Sequence, residues 1–211
     1  MKVVFKKVNV QLINITIGAE PHIENCGRIA YRSDLDGKKD TGNFIKMLIK
    51  NGHESVLEHA SASFVVDCDR AIANEIVRHR IASYTQESTR YCNYTKKKFS
   101  NTIAFIEPCF EDALAISEYK QSCKNSAQSY EEMIKKGIKP EIARQTLSMG
   151  LMTKIVMTAN MRTWRNFIKL RLGISGNPHP QIRQVTGLIL SKLYENCPNI
   201  FADLVETQRR G

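Results

Sequence analysis

Between Glu111 and Lys136 the apolar positions Ile116, Tyr119, Cys123, Ala127, Tyr130 and Ile134 recur every three or four residues, and Gly137 follows at once. That spacing keeps one stripe of a helix apolar, so the segment predicts a long amphipathic helix that must bury one face against something else. The rest of the 211-residue chain is large enough to supply that partner surface within one domain, 1–211. Its 42% hydrophobic and 25% charged residues are ordinary for a globular protein in water. No apolar run approaches the ~20 residues of a membrane span. The N-terminal Met1-Lys2-Val3-Val4-Phe5-Lys6-Lys7 lacks the apolar core and small-residue cleavage site of a signal peptide, so a cytoplasmic protein is expected.

The first half of the chain alternates between strand and helix signals. Residues 3–16 are rich in Val and Ile with imperfect alternation, which predicts a strand or a bent pair of strands. Helical spacing of Ile23, Cys26, Ile29 and Ala30 predicts a helix over 21–33, started by Pro21. Asp34 to Asp40 reads as a charged loop, and Thr41 as the cap of a helix ending at Asn51-Gly52. Residues 61–68 read as a strand, after which Asp69 caps a helix carrying Ile72, Ala73, Ile76 and Val77. Further on, 99–110 is expected to be extended, Pro140 to open a short helix, and 153–172 and 180–196 to form two more. These elements amount to an α+β domain with a mixed or antiparallel sheet and a helix-rich C-terminal half.

Six cysteines are scattered without a C-x-x-C pair, and in a reducing compartment they read as packing residues. The formal charge of +10 suits nucleic acid and phosphorylated small ligands equally well. The one Lys run, Lys96-Lys97-Lys98, is too short for a nucleic-acid arm and reads as a solvated face.

The polar chemistry concentrates in residues 78–91, "RHRIASYTQESTRY". Arg78, His79 and Arg80 fall at the C-terminal end of a predicted helix, where the helix dipole favours cations. Capping accounts for one or two of them, and not for the Ser83, Thr85, Gln86, Glu87, Ser88, Thr89 and Arg90 that follow. Arg guanidinium groups offer several coplanar donors to phosphate oxygens, and interleaved hydroxyl and amide groups complete such a site. A phosphate-bearing ligand with a hydrogen-bonding ring fits the segment.

A second cluster is "NMRTWRNFIKLR", 160–171. Asn160, Trp164, Phe167 and Arg171 step by four, three and four, with Arg162 and Asn166 in a neighbouring row. An aromatic stripe at this spacing is usually core. The interleaved amides and Arg residues suggest instead a planar ligand against the helix. Arg144, on a largely apolar helix, reads as a surface cation with its stem on apolar surface. "HESVLEH", 53–59, is not H-E-x-x-H, and its two His would point to different helix faces, so no metal is expected. No glycine-rich nucleotide loop is present either.

Arg78-His79-Arg80, seven residues and then Ser88 is an R-H-R-x7-S pattern, and Arg90-Tyr91 follows it. With "GHESVLEHASASFVV", "ARQTL", "ANMRTWRNFIKLR" and "HPQIR" in order, the chain resembles the flavin-dependent thymidylate synthases from about residue 50 to 195. The resemblance implies a homotetramer whose active sites are each assembled from several subunits. It implies reductive methylation of dUMP to dTMP, with methylenetetrahydrofolate giving the carbon, NADPH the hydride through bound FAD, and tetrahydrofolate released. Neither nucleic acid nor membrane is then a partner.

Carried over residue by residue, the resemblance puts Ser55, Arg78, His79, Arg80, Gln86, Asn160, Arg162 and Asn166 on FAD. It puts Glu75 and Arg78 of one subunit, Gln86, Glu87, Ser88, Thr89 and Arg90 of another, and Arg144 and Arg171 on dUMP. Arg171, Ser88 and His53 are the catalytic candidates. The Arg171 guanidinium would stabilise the N3-deprotonated uracil and so enrich C5. Ser88 is read as holding dUMP, since no His is evident as its base. His53 would offer ring stacking or a hydrogen bond. The chain departs from the family in Glu75, often Gln, and in Gln86, often Glu, with the carboxylate one step later at Glu87. The rivals are a basic nucleic-acid module, a relative that binds flavin or nucleotide without catalysis, and a zinc hydrolase on His53 and His59, which fails on spacing.

Overall fold

The structure, a computed structural model, describes residues 1–32 and 40–210. In chain order the elements are β1 (Lys2–Lys6), β2 (Asn9–Ile15), α1 (Ala19–Tyr31), α2 (Thr41–Lys50), a 3₁₀ turn (Glu54–His59), β3 (Ser61–Asp69), α3 (Arg70–Ile76) and β4 (Ser83–Gln86). There follow β5 (Thr102–Ile106), α4 (Ala113–Lys135), α5 (Pro140–Ala143), β6 (Met152–Asn160), α6 (Met161–Arg171), α7 (Pro180–Asn196) and α8 (Pro198–Arg210). The expected bent pair at the start is β1 and β2, and the two strands enter different sheets. β1 pairs in parallel with β5, from Lys2 opposite Thr102 to Lys6 opposite Ile106, and the other sheet runs β2-β3-β6-β4. The α+β class holds. The loop expected from Asp34 lies outside the described residues as far as Lys39.

The chain divides into two units that interleave along the sequence. One takes Met1–Asn9, Val66–Arg78 and Thr85–Ile155, and the other takes Val10–Val65, His79–Tyr84 and Val156–Gly211.

The first unit is organised by α4. Asp112 accepts from the Ala115 amide at 2.7 Å to cap its start, and Gly137, at φ 82, ends it in a conformation that side-chain-bearing residues avoid. The apolar stripe read from sequence is the buried one: Cys123, Ala127 and Tyr130 pack with Tyr94, Ile103, Phe105, Ala143 and Leu151. α3 starts as expected, with Asp69 accepting from the Ile72 amide at 2.7 Å, and it buries Ile72, Ala73 and Ile76.

The second unit is a helical layer on strand residues. Ile23 of α1, Ile45 and Leu48 of α2, Leu57, Phe64 and Trp164 are all essentially inaccessible. Gly27 lets α1 approach α2 so closely that a Cβ there would come within 2.8 Å of the Phe44 ring. Arg165 of α6, 1% exposed, is held by Asp203 of α8 through two bonds of 2.8 and 2.7 Å and by the Ile200 carbonyl. α8 itself was not read from the sequence.

Several sequence expectations are corrected. α1 begins at Ala19, ahead of Pro21, and Ile29 and Ala30 are exposed and not on its packed face. Asp40, and not Thr41, caps α2 by accepting from the Asn43 amide at 3.0 Å, because a carboxylate one residue earlier reaches the first free N–H groups. The helix expected over 153–172 is a strand followed by a helix. Thr153, Ile155, Met157 and Ala159 alternate as buried positions, a period of two, and Asn160 then accepts from the Thr163 amide at 2.8 Å to open α6.

Candidate active site

In the second unit the His79–Tyr84 part of the first cluster meets the second cluster. α6 carries Arg171 at its last turn, and the Arg171 Nε donates to Nε2 of His79 at 2.9 Å. The His79 ring stands edge-on to Phe167 with centroids 4.7 Å apart. Burial, and after it the neighbouring guanidinium, bring the His79 pKa down to about 4, so the ring is neutral at physiological pH. An always-protonated guanidinium donating to Nε2 leaves the ring proton on Nδ1, so that side of the imidazole is a donor. Arg80 beside it is exposed.

Tyr84, which the sequence reading passed over, fixes this arrangement from behind. Its hydroxyl donates to the His79 carbonyl at 2.7 Å, and burial raises the phenol to about 12. The signal was available in the alternation of β4, whose half-buried positions are Tyr84 and Gln86 while Ser83 and Thr85 are exposed.

The 3₁₀ turn Glu54–His59 packs against α6. It presents Ser55 as an exposed residue, with His53 exposed immediately before it. Arg162 is exposed and pairs with Glu58 at 2.6 Å, and Asn166 is exposed one turn further on. Asn160 spends its side-chain oxygen on the cap and keeps its NH2 as a donor. This set is rich in cations and amide donors, as an anionic ligand with an acceptor-bearing ring system requires, and FAD is such a group. One expectation fails here. Trp164 and Phe167 are fully buried, packed with each other at 5.7 Å, and Trp164 also meets Phe64 at 5.1 Å. The aromatic stripe is core, and neither ring offers an accessible face.

In the first unit, α3 ends at Ile76, with half-buried Glu75 in its last turn and exposed Arg78 just past it. Segment 86–90 is anchored through its side chains. Gln86 Nε2 donates to Thr153 Oγ1 at 3.2 Å, and Arg70 donates to the same oxygen at 3.4 Å. Glu87 accepts from the Tyr94 hydroxyl at 3.0 Å, while its amide bonds the Lys154 carbonyl at 2.9 Å. Ser88 Oγ accepts from the Arg90 amide at 3.3 Å, and its carbonyl accepts from Tyr91 and Cys92 at 3.1 and 3.0 Å, which closes a turn. That oxygen is serving as an acceptor, which does not make it a nucleophile.

Thr89 is buried and accepts from Arg144 at 3.1 Å. Arg144 is therefore half-buried at this segment, beside residues 86–90 with which the resemblance groups it. Arg90 remains exposed, 3.7 Å from Glu141. Arg70, Tyr94 and Thr153 were missed because each is a single residue whose role arises only in tertiary contact.

Among the described residues no group of three or more His, Cys, Asp or Glu side chains stands ready for a metal ion, and no helix is long and apolar enough to cross a membrane.

The family described as thymidylate synthase complementing protein (Thy1) matches residues 11–199. A flavin-dependent thymidylate synthase of Thermococcus onnurineus is 31% identical over 197 residues, covering 90% of this chain and 80% of the relative. One from Pyrococcus abyssi is 36% identical over 173 residues, or 78% and 71% of the two chains. One from Thermotoga neapolitana is 27% identical over 211 residues, or 99% and 95%. The match spans both units and every residue of the two clusters, and the chain belongs to the flavin-dependent thymidylate synthase family.

Proposed function

We propose that this protein methylates dUMP to dTMP, taking the carbon from methylenetetrahydrofolate and the reducing equivalents from NADPH. FAD, when bound, passes on those reducing equivalents, so the folate leaves as tetrahydrofolate. The observation that carries the reading is the Arg171–His79 hydrogen bond, which joins the R-H-R motif to the 160–171 block at one place.

In this reading Ser55, Arg78, His79, Arg80, Gln86, Asn160, Arg162 and Asn166 hold the flavin, and the neutral His79 donates through Nδ1. Arg90 and Arg144 take the nucleotide phosphate, with Ser88 hydrogen-bonded to it, and Glu75, Arg78, Gln86 and Thr89 complete the nucleotide side; Glu87 belongs to the same segment with its carboxylate turned to Tyr94. Arg171 faces the uracil with a fixed positive charge, lowers the cost of removing the N3 proton, and enriches C5 for attack on the one-carbon unit. His53 borders the site as a stacking or hydrogen-bonding group. We further propose a homotetramer with active sites assembled from several subunits, each chain contributing one synthase domain. The single family match across both units supports that last point.

The test is the visible spectrum of the purified protein loaded with FAD and titrated with dUMP, followed by a dTMP assay. A retained two-band flavin spectrum that shifts with dUMP, and product that requires both methylenetetrahydrofolate and NADPH, are expected. Flavin retention without any dUMP response would leave a binding protein and sink the synthase reading.

A further inference from the structure

Segment 86–90 carries an electrostatic conflict if it receives a nucleotide phosphate. Glu87 is an anion directly beside Ser88 and close in sequence to Arg90, the groups that would face that phosphate. A carboxylate free to turn outward would repel a dianionic phosphate, and the more strongly where water is excluded.

The structure shows where the Glu87 carboxylate goes instead. It accepts from the Tyr94 hydroxyl at 3.0 Å. Tyr94 is 6% exposed and belongs to the α4 core, with its ring wedged edge-on against Phe99 at 5.4 Å and Tyr130 at 5.9 Å. The phenol position is thus set by core packing. The Glu87 amide is tied to Lys154 of β6, which fixes its backbone register. On either side, Gln86 is held to Thr153 and Thr89 to Arg144, while Arg90 stays exposed.

We propose that Tyr94 is a positioning residue for nucleotide binding: its core-fixed hydroxyl holds the Glu87 carboxylate away from the phosphate and so presents Ser88 and Arg90 to it. The role rests on the dUMP reading above. A pure packing role would require the Tyr94 ring and not its hydroxyl. The positioning role requires the hydroxyl, and only while residue 87 carries a charge.

That difference supplies the test. In the FAD-loaded full chain, dUMP affinity is read from the flavin spectral shift for wild type, Tyr94→Phe, Glu87→Gln and the double variant, with melting temperature alongside. Tyr94→Phe is expected to weaken dUMP about tenfold, the size of one lost hydrogen bond to a charged group, with kcat at saturating dUMP retained. Adding Glu87→Gln to Tyr94→Phe should recover most of that affinity, because the released side chain is then neutral. Deoxyuridine, which has no phosphate, should not distinguish wild type from Tyr94→Phe. A Tyr94→Phe protein that binds dUMP like wild type, or a double variant no better than Tyr94→Phe, overturns the positioning role alone. A wild type whose flavin spectrum ignores dUMP overturns the substrate reading, and this role with it.

Discussion

Arg171 and His79, ninety-two residues apart, share one hydrogen bond of 2.9 Å, and that contact makes the imidazole an acceptor toward the guanidinium. It also sets how the pair responds to acid. Burial is the larger cause of the low His79 pKa and Arg171 the smaller. Both disfavour the imidazolium, so the unfolded chain takes up the proton first. Stability from this group is complete above about pH 6.5 and is lost as pH falls from there towards 4. NMR titration of the His79 ring should give a midpoint near 4. In Arg171→Met the midpoint should rise without reaching the ordinary histidine value, since burial remains.

Arg171→Ala should lower dTMP formation by about 100-fold or more, the scale for removing a preorganised charge from a developing anion. Product formation and bound-flavin absorbance, measured on the same samples, separate the possibilities. Loss of product with flavin retained is expected. Loss of both together would assign Arg171 to the cofactor.

Asn160 combines two tasks that substitution can divide. Asn160→Ala removes the cap of α6 and should cost about 1 kcal/mol by denaturant titration. Asn160→Ser restores a capping oxygen but lacks the amide NH2, so stability should return while FAD affinity does not. Recovery of both would confine Asn160 to capping.

Asp203→Ala would strand the buried Arg165 guanidinium with Glu54 and the Ile200 carbonyl as its remaining partners. Breaking a pair around a buried charge costs about 3 kcal/mol. Partial desolvation raises the half-exposed Asp203 carboxyl, but the Arg165 bonds and charge outweigh it and hold it below its usual range, so its stabilisation is present at neutral pH and is lost on acidification through the carboxylate range. A melting-temperature series from pH 7 to 3 should converge for wild type and Asp203→Ala at the acid end.

Ser88→Ala should raise the KM for dUMP about tenfold and leave the single-turnover amount of dTMP intact, since its oxygen accepts from the Arg90 amide and holds the turn. Complete loss of product at unchanged dUMP affinity would make Ser88 a nucleophile.

Local chemistry was the legible part of this chain. The Asp69 cap, the α4 stripe and the Gly137 stop depend on residues within a few positions of one another, and each stands where it was read. Segment 153–172 was misread because its apolar residues satisfy both periods: Ile155, Met157 and Ala159 alternate, while Met161, Trp164, Phe167 and Ile168 step helically. The divider is Asn160, whose capping bond is invisible until the backbone turns. The two polar clusters could be found by composition. That Arg171 would reach His79, or that Tyr94 would take Glu87, follows from contacts formed only when distant segments pack.

Trp164 is the chain's single tryptophan, wholly inaccessible, with its indole N–H bonded to the Ala62 carbonyl at 3.1 Å. The second unit therefore carries its own optical label, while the first has only tyrosine to report on it. Emission from a dry indole lies to the blue and moves to the red when water arrives. The red shift therefore times the opening of the second unit by itself, without a contribution from the first.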